Sequence, residues 1–254
     1  MAMKDLSNMY GAFAYQELLQ KYGIDPNKND NQNEWENLCN SERENLTMDF
    51  IETFADKVNW RLVTRYCKLT EDFMRKYEDK VDWVEVSSYE TLSDKFVDDF
   101  ADRFNWSDLS QHLAMSKKMI LKYIERMDWD RAPFYQKKID EDVVEAVLAS
   151  NKKDELNWHG LMCRNWYHWS EEFLEKHDED LKKADKWDLA CYYQKLSEPF
   201  LEKYGDRMNW NYISQRQELS KEFMLKHKDK LNFTWLKKHQ KNFDADIQKA
   251  YGKS

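Results

Sequence analysis

The chain has 254 residues, of which 35% are charged and 15% aromatic, and its formal net charge is −8. This aromatic content argues against disorder, and the acidic balance argues against general nucleic-acid binding, which needs a basic face. The sequence shows no signal peptide and no apolar run long enough to span a membrane, so we expect a cytoplasmic protein with no membrane association.

Residues 1–45 are predicted to form a divergent N-terminal capping unit. A helix is expected from Tyr15 to Tyr22, and a polar loop from Gly23 to Glu34. Trp35 then occupies the position that a tryptophan holds in each later copy. Terminal units of repeat proteins are commonly atypical, because one of their faces meets water.

A tryptophan period organises the rest of the chain. Trp60, Trp83, Trp106 and Trp129 lie 23 residues apart, the next two steps are 29 residues, and the spacing then returns to 23. A fixed period in this range is typical of stacked repeats. We therefore expect four regular repeats over 46–137, two longer irregular repeats over 138–195, two regular repeats over 196–241 and a C-terminal capping helix over 242–254.

Each copy carries two helix-start signals. Ser, Thr, Asp and Asn are preferred N-cap residues, because their side-chain oxygen accepts a hydrogen bond from a free helical N–H. The first signal follows the apolar residue that opens each copy: Thr47, Thr70, Ser93, Ser116, Asp140, Ser170, Ser197, Ser220 and Asp244. The second immediately precedes the tryptophan position: Asn59, Asp82, Asn105, Asp128, Asn157, Asn209 and Asn232. One copy is thus predicted to be two short capped helices.

These signals predict an all-α fold. Short helices are marginal alone, but stacked helix pairs cover each other's apolar faces. We expect a right-handed α-solenoid of about nine stacked helix-pair repeats, forming a single continuous array. The tryptophans are interpreted as core residues rather than as a ligand cage.

Neither a cofactor nor a metal is expected. The chain has no nucleophile elbow, no glycine-rich phosphate loop and no H-E-x-x-H motif, so we expect no enzymatic activity. The four cysteines occur singly, and we expect free thiols. A metal site from His159, Cys163 and His168 is conceivable, but its spacing matches no known ligand pattern.

Two rows of repeated side chains are secondary binding candidates. A basic row lies just before the tryptophan position: Lys57, Lys80, Arg103, Arg126, Arg207 and Lys230. These cations are able to meet phosphates or carboxylates, or merely to complement a helix C-terminus. A second row lies six residues after the tryptophan: Tyr66, Tyr89, His112, Tyr135, Arg164, Tyr193, Arg216 and His239. Its members are either interface anchors or inter-repeat packing.

The main candidate site lies where the period breaks, at 138–195. A site that needs one specific geometry is expected at the irregular copies, where an extra turn changes the local curvature. The candidate binding residues are Tyr135, Arg164, Trp166, Tyr167, His168, Trp169 and Tyr193. The alternative is a joint between two regular halves, with these aromatic side chains filling its core.

The repeat also resembles a known pattern. Leu196 to Glu218, LSEPFLEKYGDRMNWNYISQRQE, is similar to the largely uncharacterised tryptophan-containing repeats of bacteriophage and large DNA virus proteins. The resemblance covers roughly residues 46–241, and the long copies depart from it. It implies a viral origin and a non-enzymatic protein that acts on host machinery.

Three function classes follow. The first is a binding protein that captures or sequesters a host protein or ligand on a repeat surface, as a viral counter-defence factor in the host cytoplasm. The second is a sponge for a small anionic nucleotide signal, such as a cyclic nucleotide. The third is a DNA mimic, although interleaved Lys and Arg residues dilute any acidic stripe. The sequence does not indicate an oligomeric state.

Overall fold

The computed structural model describes residues 15–28, 31–43, 45–89, 91–164 and 166–252. Within these ranges the chain forms twenty α-helices, two 3-10 helices and no β-strand. The prediction of an all-helical chain built from short, regular repeats is confirmed. The chain divides into two compact units, Met1–Leu113 and Ala114–Ser254.

The first unit contains four helix pairs in its described part. Its helices are α1 (Gln16–Lys21), α2 (Gln32–Ser41), α3 (Met48–Thr53), α4 (Trp60–Tyr66), α5 (Glu71–Lys76), α6 (Trp83–Val86), α7 (Asp94–Asp99) and α8 (Trp106–His112). Odd-numbered helices are the first of each pair, and even-numbered helices are the second. The second helices α2, α4 and α6 pack in chain order. Helix α2 begins inside the predicted 23–34 loop, three residues before Trp35.

The second unit continues the same alternation. Its first helices are α9 (Lys117–Lys122), α11 (Glu141–Leu148), α13 (Glu171–Lys176), α16 (Glu198–Tyr204), α18 (Lys221–Lys226) and α20 (Ala245–Ala250). Its second helices are α10 (Ala132–Tyr135), α12 (Trp158–Met162), α15 (Trp187–Tyr193), α17 (Trp210–Arg216) and α19 (Phe233–His239). The second helices pack side by side in that order, so they form one continuous layer of the unit.

Helix caps set these boundaries. At all nine predicted first-helix caps, from Thr47 to Asp244, the side chain accepts a backbone N–H from two or three residues later. Six of the seven predicted second-helix caps do the same and are followed directly by a helix. The cap positions were therefore readable from residue type and spacing alone.

Asp128 is the exception, and Pro133 explains it. Helix α10 begins only at Ala132, and Asp128 instead accepts the N–H of Arg131 within a preceding turn. Proline has no N–H to donate to the carbonyl four residues before it, which belongs to Trp129. That carbonyl accepts the backbone N–H of Asn157 from the next copy, at 3.1 Å. The lost helical bond is thus replaced by a bond between copies.

The two long copies differ in where their extra residues go. Between α11 and α12 the extra residues lengthen the first helix and add a 3-10 helix, Lys153–Glu155. In the next copy they form a separate helix, α14 (Asp178–Lys183). Helix α14 ends at Lys183, and two residues later Asp185 has a left-handed φ of 54°, a conformation that Asp tolerates better than most residues. An extra turn was predicted here, although not which form it takes.

The tryptophans join consecutive copies. Trp83 is 9% exposed, and its ring lies 4.8 Å from that of Phe100 in the next copy. Its indole N–H donates to the Glu78 carbonyl, at 2.9 Å, and Trp60, Trp106 and Trp129 donate to the equivalent carbonyls. The core interpretation is confirmed for the buried tryptophans: Trp35, Trp83, Trp106, Trp129, Trp169 and Trp187. Trp60, Trp158 and Trp210 are half-buried.

Ion pairs join the first helices. In the second unit, Lys176 pairs with Glu145, Lys203 with Glu175, and Lys226 with Glu202, at 2.6, 3.0 and 2.8 Å. In each pair the lysine belongs to one copy and the glutamate to the copy before it. The cations of the first helices are therefore partly neutralised by carboxylates one copy away.

Candidate functional site

The structure separates the central candidate residues into two groups. Tyr167 and Trp169 are 2% and 6% exposed, and both pack inside the second unit. Tyr135 is 52% exposed, and His168 is also exposed. Arg164, Trp166 and Tyr193 are half-buried. The five exposed or half-buried residues, and not the two buried ones, are placed to meet a partner.

Tyr167 and Trp169 serve the packing of the unit, which was the alternative interpretation for them. The Tyr167 hydroxyl donates to the carbonyls of Pro133 and Gln136, at 2.9 and 2.5 Å. Burial raises the pKa of this hydroxyl to about 12, so it remains a donor at neutral pH. Trp169 stacks on Phe173, with ring centroids 4.9 Å apart. Both side chains are enclosed because they fill the joint between copies of unequal length.

Arg164 and Trp166 belong to the first of three aromatic and cationic clusters, and Tyr193 belongs to the second. The Arg164 cluster comprises Phe134, Lys137, His159, Arg164 and Trp166. The Arg164 guanidinium lies over the rings of Phe134 and Trp166, 5.4 and 5.2 Å from their centroids. Lys137 Nζ lies 6.0 Å from the Trp166 centroid, and the Phe134 and His159 rings are 6.0 Å apart. Such cation–π contacts place positive charge at the edge of a flat apolar surface.

Two buried donors in the Arg164 cluster lack acceptors. Arg164 Nε and Trp166 Nε1 are shielded from solvent and have no hydrogen-bond partner among the described residues. Buried polar groups are nearly always paired, so such orphans are unusual. The cluster therefore retains unused capacity to donate hydrogen bonds.

Close packing of α10 on α12 builds this cluster. A Cβ atom on Gly160 would lie 2.8 Å from Cβ of Pro133 and 3.1 Å from the Phe134 ring. Only glycine permits this approach, which holds Phe134 beside the helix that leads to Arg164. Pro133 and Gly160 thus act together in placing the aromatic side of the cluster.

The second cluster lies on α15 and α17. The Tyr192 cluster comprises Tyr192, Tyr193, Tyr212 and Arg216. The ring of Tyr192 meets those of Tyr193 and Tyr212 edge-on, at 4.9 and 5.3 Å. The Arg216 guanidinium lies 4.2 Å from the Tyr192 centroid, and its Nε donates to the Tyr192 carbonyl at 3.1 Å. Three half-buried tyrosines and one exposed arginine therefore form a single patch.

The third cluster lies on α19. The Trp235 cluster comprises Trp235, Lys238 and His239. The Trp235 and His239 rings are 5.3 Å apart, and Lys238 Nζ lies 5.5 Å from the Trp235 centroid. Trp235 is half-buried, whereas Lys238 and His239 are exposed.

Helical geometry explains why the Tyr192 and Trp235 clusters share one surface. At about 100° per residue, positions two, five and six after the tryptophan lie about 140–240° around the helix from it. Positions three, four and seven lie near the tryptophan itself, and they are buried at Ile213, Ser214 and Gln217. The Tyr192 and Trp235 clusters occupy the opposite, outer side of α15, α17 and α19, and the Arg164 cluster lies on the neighbouring α10 and α12 and on the residues that follow each of them. Together the three clusters define the second-helix face of the second unit.

The second-helix segments of this unit are also rich in basic residues. Residues 129–138, 158–168, 187–195, 210–218 and 233–243 contain three acids, Asp130, Asp188 and Glu218. Their basic residues are Arg131, Lys137, Lys138, Arg164, Lys195, Arg216, Lys237, Lys238 and Lys241. Among these, only Arg131 and Lys195 form an ion pair with a described residue. The face is therefore cationic in a protein whose net charge is negative.

The predicted basic row has a different character. Lys80 pairs with Asp56, and Lys230 with Asp206 at 2.6 Å, so each cation meets an aspartate of the preceding copy. Arg207 pairs with Asp178, and Arg103 Nη1 lies 3.9 Å from Asp79. Lys57 donates to the Lys28 carbonyl, and Arg126 is also engaged. The row therefore links copies along the chain.

The predicted row six residues after the tryptophan is mixed. The Tyr89 hydroxyl donates to the Thr64 carbonyl at 2.6 Å, which is inter-repeat packing, and burial raises its pKa to about 12. Tyr66 lies under Arg43, 4.5 Å away, and His112 is exposed. The other members, Tyr135, Arg164, Tyr193, Arg216 and His239, belong to the second unit and lie in or beside its clusters.

Sequence reasoning missed several members of these clusters. Phe134, Tyr192 and Lys238 lie five residues after the tryptophan position, and Tyr212 and Trp235 lie two after it. An aromatic or basic residue recurs at these two positions in the second unit, which is the signal that would have identified them. Comparing the copies at every position after the tryptophan, and not only at the sixth, identifies these residues.

The described residues show neither a metal-binding group nor a membrane-spanning helix. Within the described ranges, no three His, Cys, Asp or Glu side chains are grouped so as to hold a metal ion. No helix of the described part has the length and apolar character needed to cross a membrane. Comparisons with family models, with curated proteins and with solved structures gave no match.

Proposed function

We propose that this chain is a non-enzymatic binding protein that captures an anionic partner on the second-helix face of its second unit. The observation that carries the proposal is the state of the cations there. Arg164 and Arg216 lie over aromatic rings and form no ion pair with any described residue. Arginine and aromatic side chains at a half-buried surface are typical anchors of binding interfaces.

The arrangement of copies supports an extended surface. In this proposal the helix pairs continue as a right-handed α-solenoid with a 23-residue period, lengthened to 29 in the two central copies. Solenoids act mostly through the long faces that stacked units create. Adjacent packing of α10, α12, α15, α17 and α19 is consistent with one such face.

The biological role follows from the resemblance to tryptophan-containing repeats of bacteriophage and large DNA virus proteins. We propose a counter-defence factor in the host cytoplasm, which sequesters a host protein or ligand. In the second unit, glutamates neutralise lysines of the first helices, which leaves the second helices as the more cationic side.

A second candidate is a sponge for a small anionic nucleotide. The specific observation in its favour is the pairing of a cation with a flat ring, as in Arg216 over Tyr192 at 4.2 Å. The phosphate of a nucleotide binds to the cation, and its base stacks on the ring. The DNA-mimic alternative lacks comparable support, because the acids of the first helices are engaged by lysines.

Capture from a host-cell lysate tests the proposal. The full chain and an Arg164→Ala/Arg216→Ala variant are immobilised, and what each retains is identified by mass spectrometry. The control is Lys203→Ala/Lys226→Ala, which removes the same charge from exposed first-helix residues. We expect a component retained by the chain and the control but lost by the arginine variant. Retention that is equal in all three would place the binding surface elsewhere.

A further inference from the structure

We propose that the second-helix face of the second unit binds single-stranded nucleic acid. This inference rests on the proposed function and names the class of its partner. It starts from a contrast within the unit: the first-helix lysines Lys176, Lys203 and Lys226 are paired with carboxylates, whereas seven of the nine basic residues of the second-helix segments form no ion pair with a described residue. Net charge averages these two surfaces, so a chain of charge −8 still presents one basic face.

The cations alone favour a polyanion. Lys137 and Arg164 follow α10 and α12, whereas Arg216 lies on α17 and Lys238 on α19. None of the four forms an ion pair with a described carboxylate. Like charges held on one surface without counter-ions repel each other. A ligand with several regularly spaced negative charges relieves this repulsion, and a phosphate backbone has that form.

The aromatic rings favour bases beside the phosphates. Each cluster combines a half-buried ring with a basic side chain: Trp166 with Arg164, Tyr192 with Arg216, and Trp235 with Lys238. Proteins that bind single strands combine a cationic track with aromatic side chains on which successive bases stack. Bases in a duplex are already stacked on each other, so a duplex leaves these rings unused.

The spacing of the clusters favours a strand over a single nucleotide. The Arg164 cluster lies on α10, α12 and the residues that follow them, the Tyr192 cluster on α15 and α17, and the Trp235 cluster on α19. These helices pack consecutively, and packed helices are separated by about 8–10 Å. The series is therefore a few tens of ångströms long, which is longer than one nucleotide and suited to a short strand.

The Arg164 cluster also holds two unused donors. Arg164 Nε and Trp166 Nε1 are buried without an acceptor in the described part of the chain. Both donors are shielded from solvent, so a phosphate or base oxygen reaches them only after the Arg164 and Trp166 side chains turn outward. The resulting arginine–phosphate bond is strong because both groups are charged. An apolar or cationic partner would leave both donors unpaired.

Fluorescence anisotropy with labelled oligonucleotides tests this proposal. The probes are oligothymidylate and oligouridylate of about 20 nucleotides, with a duplex of equal length and poly-glutamate as comparison polyanions. We expect both single strands to bind at least tenfold more tightly than the duplex or poly-glutamate. Stronger binding of one single strand than of the other distinguishes DNA from RNA as the source.

Two variants separate charge from stacking. Arg164→Ala/Arg216→Ala/Lys238→Ala should weaken strand binding at least tenfold and reduce the salt slope by about 2, since each phosphate contact contributes about 0.7. Tyr192→Leu/Trp235→Leu should weaken binding at least fivefold with little change in that slope. The control Lys176→Ala/Lys203→Ala/Lys226→Ala should change affinity less than twofold. Circular dichroism of every variant confirms that the fold is kept.

Three results would overturn the inference. They are no strand binding at low salt, binding of duplex as tight as that of single strands, and equal weakening in the second-helix and first-helix triple variants. If strand binding is absent but poly-glutamate binds tightly, this inference fails and the proposed function stands, with an acidic protein as the partner. Failure of both this assay and the lysate capture would remove the proposed function as well.

Discussion

The side-chain oxygen of Gln217 accepts the backbone N–H of Leu196, at 2.9 Å, and so joins the end of one copy to the start of the same copy's first helix. Its amide nitrogen donates backward to the carbonyls of Cys191 and Gln194, at 2.5 and 2.9 Å. Gln194 and Gln240 make equivalent bonds. In these three copies one glutamine thus satisfies backbone groups that the turns leave free.

Gln217→Ala should therefore lower the free energy of unfolding by about 1–3 kcal/mol, because it leaves buried backbone groups unpaired. Gln215→Ala is the matched control, since Gln215 is half-buried and lies in the last turn of α17, two residues before Gln217. Urea denaturation measures both. Equal stability of the two variants would show that water replaces the amide without cost.

A buried hydroxyl plays a similar part in the first unit. Ser87 donates to the Trp83 carbonyl at 2.6 Å and accepts the Asn105 N–H of the next copy at 2.8 Å. Ser87→Ala removes the acceptor of that N–H, so we expect a loss of about 1–3 kcal/mol. The exposed neighbour Ser88→Ala should be near neutral, and a comparable loss from it would contradict this assignment.

Acid should weaken the pair of Glu145 with the next copy. Hydrogen bonds from Lys176 and then His177 hold the pKa of Glu145 below its ordinary value of 4.5. A lowered folded-state pKa gives stability that is complete above the unfolded-state pKa and is lost as pH falls through the folded one. Melting temperatures from pH 7 to 3 should thus converge for the native chain and Glu145→Gln. A difference that stays constant with pH would argue against this linkage.

The cysteines should differ in reactivity. Burial raises the pKa of Cys191 to about 12 and that of Cys67 to about 11, so neither forms much thiolate near pH 8. Cys163 is half-buried. Iodoacetamide should label Cys163 first in the native protein, and all four thiols after denaturation without reductant, as followed by mass spectrometry. Native labelling of Cys191 at the rate of Cys163 would show that the α15 core opens.

The fold was largely predictable because its signals are local. A cap such as Ser197 or Asn209 acts on a backbone N–H two or three residues away, so residue type and spacing identify it. The glutamine bonds were harder to predict, because Gln217 reaches groups 21 to 26 residues away. Their partners depend on how copies stack, which spacing alone does not specify.

The site was predicted only in part, for a related reason. The aromatic patch at 164–169 led to the prediction that Tyr167 and Trp169 bind a partner, yet both are enclosed by the joint between copies of unequal length. Arg164 was identified, but its ring partner Phe134 comes from the preceding copy, where Pro133 delays the start of α10. Which aromatic side chain is core and which is surface depends on such shifts in helix start.

The central claim, that the second-helix face of the second unit is the binding surface, is tested most directly by hydrogen–deuterium exchange of the full chain with and without its captured partner. The account predicts slower exchange in the peptides that contain α12, α15, α17 and α19, with little change in α13, α16 and α18. Protection confined to those first helices, or to the first unit, would contradict it.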